Sequence, residues 1–230
     1  MESADSAGAG PQDPGTRGAV RRDGEGRERI LAAVVDVIAD EGIDRASVRA
    51  VAQRAGVSIG AVQHHFRTKA QMLEGAMALL TARFEDEARS DAAATAFGVD
   101  EPDGPPDPLL VLRTMCAGLA LLDEGDRRVG GVWLDFVAAS RVNGGLAEIH
   151  RAAWSRLRGL FAHLIAQAEP GHPDVEAAAD LLLACLDGIA VSRMTEAEHM
   201  TAARAERTME AALSGVLSER PGPHARADCA

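Results

Sequence analysis

One segment, residues 46–69, constrains the fold of this chain more than any other; it reads ASVRAVAQRAGVSIGAVQHHFRTK. Ser47 is suited to begin a helix, because its hydroxyl can accept hydrogen bonds from the free amides of the first turn. Apolar residues then recur on one helix face, at Val48, Val51, Ala52 and Ala55. Gly56 suits the left-handed position that follows a helix. The pattern predicts a short amphipathic helix that ends in a tight turn.

A second short helix follows the turn. Ser58 can cap it, Val62 lies on its inward face, and it ends near Phe66. Two helices that cross steeply need a small residue at the contact and a glycine at the bend, and Ala52 and Gly56 provide them. The spacing is typical of a helix-turn-helix at about residues 47–66, which predicts DNA as a partner. An ordinary helical hairpin in an all-α domain is the alternative.

Composition favours helices and a reduced intracellular protein. Of 230 residues, 47% are hydrophobic but only 3% are aromatic, and there is no tyrosine, so the cores must be aliphatic. The chain has neither a signal-peptide pattern nor an apolar stretch long enough to span a membrane, which predicts a cytoplasmic protein without membrane contact. We expect Cys116 and Cys185 to be buried thiols rather than a disulfide pair, with Cys229 in a tail.

Acidic charge is concentrated outside the helix-turn-helix region. The net charge is −11, from 24 basic and 35 acidic residues. Residues 17–69 hold ten basic and seven acidic residues, a balance of +3, and the remainder holds 14 and 28, a balance of −14. A locally basic end on an acidic body can orient the protein on a polyanion. Arg17, Arg21 and Arg22 could form a basic arm beside DNA, or simply a solvated tail.

The fold class predicted is all-α with about nine helices, which form a three-helix DNA-binding domain followed by a larger helical domain. We expect a disordered tail over residues 1–24, the DNA-binding domain over 25–85, the larger domain over 86–218 and a second disordered tail over 219–230. Besides the helix-turn-helix pair, helices are predicted at about 27–40, 69–91, 108–123, 127–142, 146–168, 174–194 and 197–217.

The segment from Ser47 to Leu73 resembles the TetR family of bacterial transcriptional regulators. The shared features are the Ser cap, the Ala-Gly-Val-Ser turn at residues 55–58, Phe66 and the Lys69 that opens the next helix. The region from Trp133 to Met194 looks most like the BetI-type C-terminal domain. Members of the family usually carry tyrosine where this chain has Gln63, whose amide can pair with an adenine edge.

The recognition helix of such a motif presents base-reading side chains opposite its buried residues. That geometry assigns base contacts to Ile59, Gly60, Ala61, Gln63 and His64. Contacts to phosphates are expected from Ser47, Arg49, His65, Thr68 and Lys69, and Ser58, as the cap of the recognition helix, completes the predicted DNA-binding set. Ile59 could instead be a hydrophobic staple, and His65 a half-buried core residue.

The resemblance implies two roles for the larger domain. The last two helices would form a homodimer that binds a palindromic operator, with the apolar excess of residues 174–194 buried on two sides. A small-molecule effector would bind among the middle helices and release the DNA, although every candidate could equally be core. The candidates are Met115, Leu119, Trp133, Phe136, Val137, His150, Trp154, Phe161, Cys185 and Ile189.

The sequence predicts no enzymatic chemistry, no cofactor and no metal site. The sequence has no phosphate loop, metal-ligand spacing or nucleophile elbow, and Asp135, His150, Asp187 and His199 are scattered over separate helices. The sequence shows no evident aromatic cage, so choline is not predicted as the effector. A ligand-responsive regulator, most simply a repressor, is the expected function. The alternative is an all-α interaction or sensor module that has lost specific DNA binding.

Overall fold

The computed structural model describes residues 14–96 and 107–218, and in these ranges it is all-α, with nine α-helices, one short 3-10 helix and no strand. The predicted fold class is therefore confirmed. The tails 1–13 and 219–230 lie outside the described residues, so their predicted disorder stays a prediction. The elements are α1 (Pro14–Glu41), η1 (Ile43–Arg45), α2 (Val48–Ala55), α3 (Ile59–His65), α4 (Lys69–Ala96), α5 (Pro108–Leu119), α6 (Glu124–Ser140), α7 (Gly144–Ala168), α8 (Val175–Thr195) and α9 (Ala202–Ser218).

Four helix boundaries differ from the sequence prediction by four residues or more, and one of them is the end of α4, which continues to Ala96 instead of ending near Asp91. The first helix begins at Pro14, so the part of the expected tail from Pro14 onward is helical and continuous with α1. The helix predicted to reach Asp123 ends at Leu119, because Leu121 has a positive φ of 52° and Asp123 caps the next helix. The last helix begins only at Ala202, since residues 197–201 form a turn.

A first apolar core joins the N-terminal helices to the rest of the molecule. It holds Val34 and Val37 of α1 together with buried residues of α2, α3 and α4. Phe136 of α6 and Leu146 of α7 belong to the same cluster. The N-terminal unit (α1 to α4) therefore shares its core with two helices of the body (α5 to α9). A shift of α6 or α7 must change the packing of the N-terminal unit.

A second core is formed by the body itself. Residues from α5, α7, α8 and α9 pack together, with Leu182 and Phe161 fully buried. Arg193 of α8 is the largest buried polar side chain described, and its guanidinium donates to the carbonyls of Leu121 and Met200 and to the carboxylate of Glu124. These bonds satisfy a charge that would otherwise be costly to bury, and they fix the start of α6 against α8.

None of the helices in the described ranges is both long and apolar enough to cross a membrane. In the same ranges, no three His, Cys, Asp or Glu side chains are grouped so that they could hold a metal ion.

Candidate nucleic-acid interface and effector site

The segment at residues 47–66 is a helix-turn-helix. The Ser47 hydroxyl accepts from the amide of Ala50 at 3.2 Å and begins α2. Gly56 follows α2 in the left-handed conformation, with a φ of 64°, as its predicted position requires. Ser58 accepts from the amide of Ala61 at 3.1 Å and begins α3. Val62 is fully buried, so the two caps, the turn and the inward face predicted from the sequence are all present.

The side of α3 opposite Val62 is open to solvent. Ile59 is 46% exposed, which does not fit a packed hydrophobic staple. Gly60, Gln63 and His64 are also exposed, whereas Ala61 is half-buried. Four of the five residues assigned to base contacts thus lie on an accessible face, and Ala61 presents only part of its side chain.

His65 lies at the border between this face and the core. It is half-buried, its ring is edge-on to that of His64 at 5.2 Å between centroids, and it lies 6.3 Å from the ring of Phe66. It also lies close to α1, since a Cβ built on Gly26 would be 3.5 Å from Nε2 of His65. This position fits both the phosphate contact and the half-buried core residue that the sequence left open.

The residues assigned to phosphate contacts surround the ends of α2 and α4. Ser47 and Arg49 are exposed at the start of α2. Thr68 caps α4, because its hydroxyl oxygen accepts from the amide of Gln71 at 3.1 Å. A capping hydroxyl accepts with its oxygen and keeps its own O–H as a donor, so Ser47 and Thr68 can cap a helix and still reach a phosphate.

Lys69 is more constrained than its sequence position indicates. Its Nζ donates to the carbonyl oxygens of Ile43 and Asp44 in η1, at 3.2 and 3.0 Å. An ammonium group has three N–H donors, so one is left for an external acceptor. No local sequence signal could have shown this contact, because the two carbonyls lie about 25 residues before the lysine.

A cleft that the sequence did not predict opens between α1, the end of α3 and α4. It has a volume of about 570 Å³ and is open to solvent. The guanidinium of Arg27 lies over the ring of Phe66, 5.4 Å from its centroid, and forms one wall. The other lining residues are His64, His65, Arg67, Gln71, Glu74, Gly75 and Ala78.

Helix α6 is bonded to the N-terminal unit at two places. Near its start, Arg128 pairs with Asp36 and Asp40 of α1, at 2.9 and 2.7 Å. Further along, Asp135 accepts from the amide of Ile43 at 3.1 Å. Asp40 is also paired with Arg54 of α2 at 2.7 Å, and the two guanidinium groups hold the pKa of its carboxyl below the ordinary value.

Three of the ten candidate effector residues form an aromatic cluster. Trp133 and Trp154 are stacked, with 5.2 Å between ring centroids and 14° between planes. His150 lies 5.6 Å from Trp133 and 5.0 Å from Trp154. The rings pack against one another rather than around a space, so they form no cage. Partial burial lowers the pKa of His150, and its Nδ1 has no hydrogen-bond partner.

Asp187 belongs beside this cluster, although it was not among the candidates. The indole N–H of Trp154 donates to its carboxylate, while desolvation raises the pKa of Asp187 to about 6. The sequence signal for Asp187 is that an acidic residue interrupts the apolar pattern of α8. His150 and Asp187, which looked scattered along the sequence, thus both contact Trp154.

The remaining effector candidates do not gather around one space. Phe136 is fully buried in the core shared with the N-terminal unit, whereas Met115, Phe161 and Ile189 belong to the core of the body. Leu119 is half-buried against the second core, and Val137 and Cys185 are half-buried. Their part in effector binding stays a prediction. Burial raises the pKa of Cys116 to about 12, as expected for an inert buried thiol.

This architecture, an N-terminal helix-turn-helix on a helical body, is typical of a transcriptional regulator, and the chain is similar to known proteins of that class. Residues 30–76 match the model of bacterial regulatory proteins of the tetR family, and residues 109–218 match the BetI-type transcriptional repressor C-terminal domain. The chain belongs to the TetR family of transcriptional regulators. Regulators of this family bind DNA as dimers and respond to small molecules.

Relatives of similar length support the assignment. The HTH-type transcriptional regulator BetI of Stenotrophomonas maltophilia is 31% identical over 71% of this chain and 78% of its own length. PksA of Bacillus subtilis is 26% identical over 84% of this chain and 90% of its own. Among solved structures, a transcriptional regulator from Rhodococcus sp. Rha1 aligns with a TM-score of 0.71 and 33% identity, covering 83% of this chain and 95% of that one. These relatives are transcriptional regulators, not enzymes.

Proposed function

We propose that this protein is a ligand-responsive transcriptional repressor in the cytoplasm, which binds a palindromic operator as a homodimer and is released by a small molecule. The observation that carries the proposal is the exposed face of α3. Gly60, Gln63 and His64 point away from the buried Val62, and Ile59 is exposed at the start of the same helix, which is fixed by its own cap and turn. A helix presented in this way fits the major groove of B-DNA.

Base reading by this face depends on two kinds of contact. Ile59 and Ala61 supply methyl groups for thymine, and Gln63 supplies an amide that can bond the N6 and N7 atoms of adenine. Gly60 lets the helix backbone approach the bases closely. Phosphates on either side are bound by Ser47, Arg49, His65, Thr68 and Lys69, with Ser58 at the N-terminus of α3 between them. Because Gln63 stands at the usual tyrosine position, the operator should differ from those of relatives with the tyrosine.

Helix α8 supports the homodimer, but through residues other than those named from the sequence. Val175, Ala178, Leu182, Cys185, Leu186, Ile189 and Ala190, whose excess indicated a second interface, all lie towards the interior of their own chain. The outward side carries the exposed Asp180 and Asp187, and beside them runs a stripe of small or apolar residues, with Leu181 54% and Val191 43% exposed. Its members, at helical spacing, are Ala177, Leu181, Ala184, Gly188 and Val191.

This uncharged stripe matches what a second α8 requires. A Cβ built on Gly188 would meet no atom within 4 Å, so the stripe has room for a helix at close range. Two copies related by a two-fold axis would each contribute the same stripe, which is the geometry of a homodimer. The two copies of α3 would then address two half-sites about one helical turn apart.

We place the effector beside the aromatic cluster of Trp133, His150 and Trp154, which links the two cores through α6 and α7. A molecule that separates the stacked indoles must shift α6, and α6 carries the contacts to α1 and η1. Two solved relatives hold small molecules: a regulator from Saccharomonospora viridis in complex with choline, 21% identical, and SmeT in complex with triclosan, 22% identical. At these identities the two relatives share the fold with this chain.

The test is a salt-titrated mobility shift of the full-length protein on the DNA upstream of its own gene and on sites enriched from the genome. The proposal expects a specific palindromic site, bound with a steep loss of affinity as salt rises. Binding that is absent, or equal for all sequences, would instead support the interaction or sensor module that has lost specific DNA binding.

A further inference from the structure

One three-residue turn, η1, connects the body of the protein to the only lysine of the chain. Oδ2 of Asp135, on α6, accepts the N–H of Ile43 at 3.1 Å. The carbonyls of Ile43 and Asp44 accept from Nζ of Lys69 at 3.2 and 3.0 Å. The first amide of η1 is therefore bonded to the body, and two of its carbonyls are bonded to Lys69, the first residue of α4.

We propose that Asp135 is a positioning residue for DNA binding, which orients the carbonyls of η1 that hold the Lys69 ammonium ready for a phosphate. The inference rests on the DNA contact proposed for Lys69. Asp135 lies in the body, far from the recognition helix in sequence, and would still contribute measurably to DNA affinity.

The geometry of η1 explains why it needs an anchor. The residue before it, Gly42, has a φ of 84° and no side chain, so η1 has no N-terminal side-chain cap of its own. The first amide of such a helix needs an acceptor, and Asp135 provides it from a different element. Without this bond, the glycine leaves the turn free to reorient.

Orientation of the turn matters because lysine is a flexible side chain. A lysine that becomes ordered only on binding loses rotamer freedom and therefore affinity. The two carbonyls restrict the Lys69 side chain before DNA arrives, and the remaining N–H can donate to a phosphate. The effect of Asp135 on DNA binding must therefore pass through Lys69.

The experiment is a double-mutant cycle on the full-length protein, with affinity for a selected operator and for random DNA measured over a range of salt. Lys69→Ala should weaken binding to both DNAs and lower the salt slope by about one unit. Asp135→Ala should weaken binding about three- to tenfold, yet change it by less than about twofold in the Lys69→Ala background. Asp135→Asn is the matched control: it keeps an oxygen acceptor and should bind like the wild type. If Asp135→Ala fails to fold, Asp135→Leu replaces it, as a side chain of similar bulk without an acceptor.

Four results would overturn the proposal. Asp135→Ala could weaken binding equally in both backgrounds, and its effect would then bypass Lys69. Asp135→Asn could behave like Asp135→Ala, in which case charge and not the hydrogen bond would matter. Asp135→Ala could also leave binding intact while Lys69→Ala weakens it, which would refute the positioning role but keep the DNA contact of Lys69. Unchanged binding by Lys69→Ala itself would refute that contact and with it the positioning role of Asp135, whereas the proposed repressor function would fail only if the wild type bound no specific site.

Discussion

Arg128 of the body and Asp40 of α1 form a charged hydrogen bond of 2.7 Å across the boundary between the two units. The same carboxylate accepts from Arg54 of α2, also at 2.7 Å. The helix that precedes the recognition helix is thus linked through one carboxylate to α6. This chain of contacts runs parallel to the one through Asp135 and η1, so α6 is connected to the DNA-binding unit twice.

Removal of the Arg128 side chain should change the pKa of Asp40. Two guanidinium groups hold the pKa of Asp40 below its ordinary value of 3.8, with the Arg128 hydrogen bond as the larger cause. Arg128→Met should therefore raise the pKa of Asp40 towards that value, as measured by NMR titration of the side-chain carboxyl. Arg127→Met is the control, because Arg127 pairs with Glu124 and not with α1. An unchanged titration of Asp40 in the Arg128 variant would show that the pair is absent in solution.

Because Asp40 is an acid with a lowered pKa in the folded state, its pairs contribute stability above pH 3.8. That contribution disappears as the pH falls through the lowered pKa of the folded protein. The pH dependence of unfolding in this acidic window should consequently be shallower for Arg128→Met than for the wild type.

Gln63 should determine part of the operator sequence. Replacement by alanine removes the amide that pairs with a base, which costs about 1–3 kcal/mol of discrimination at one position. The ratio of operator affinity to random-DNA affinity should fall, while the salt slope stays unchanged. Gln53→Ala, on the exposed side of α2, is the matched control and should keep the ratio. An unchanged ratio for Gln63→Ala would exclude Gln63 from base reading.

The exposed stripe of α8 should control the oligomeric state. Leu181→Asp places a charge at the centre of the proposed interface and should weaken dimerisation at least about tenfold, as measured by sedimentation velocity over a range of concentrations. Val142→Asp, at a residue that is 92% exposed after α6, should leave the dimer intact. A Leu181→Asp protein that remains dimeric would place the interface elsewhere.

Asp187 should make stability depend on pH in the opposite sense to Asp40. Its pKa is raised to about 6 in the folded protein from 3.8, so the fold favours its protonated form. Stability should fall as the pH rises from about 4 to 6 and change no further above it. Asp187→Asn removes this dependence, and its stability advantage over the wild type in urea unfolding should therefore grow across that window. A constant difference between the two proteins would show that the carboxyl is not desolvated.

Local features of the fold could be predicted from the sequence, because their causes are local. Ser47, Ser58 and Gly56 act on amides and dihedral angles within a few residues, so the helix-turn-helix was correctly located. The class of fold and the number of helices followed from apolar periodicity in the same way. The early start of α1 was missed because glycines and charges in its first part resemble a tail.

Contacts between distant residues could not be predicted. Asp135 and Ile43 are 92 positions apart, and Arg128 and Asp40 are 88 apart, so no window of sequence contains both partners. The aromatic candidates were chosen by residue type, and only the packing of α6, α7 and α8 shows that Trp133, His150 and Trp154 meet with Asp187 beside them.

The most direct test of a repressor that reads DNA with α3 is a selection of genomic fragments by the purified full-length protein. Such a repressor should enrich one palindrome with half-sites about one helical turn apart, and the enrichment should be lost when Gln63 and His64 are both replaced by alanine. Absence of an enriched site, or the same site bound equally by the double variant, would contradict this prediction.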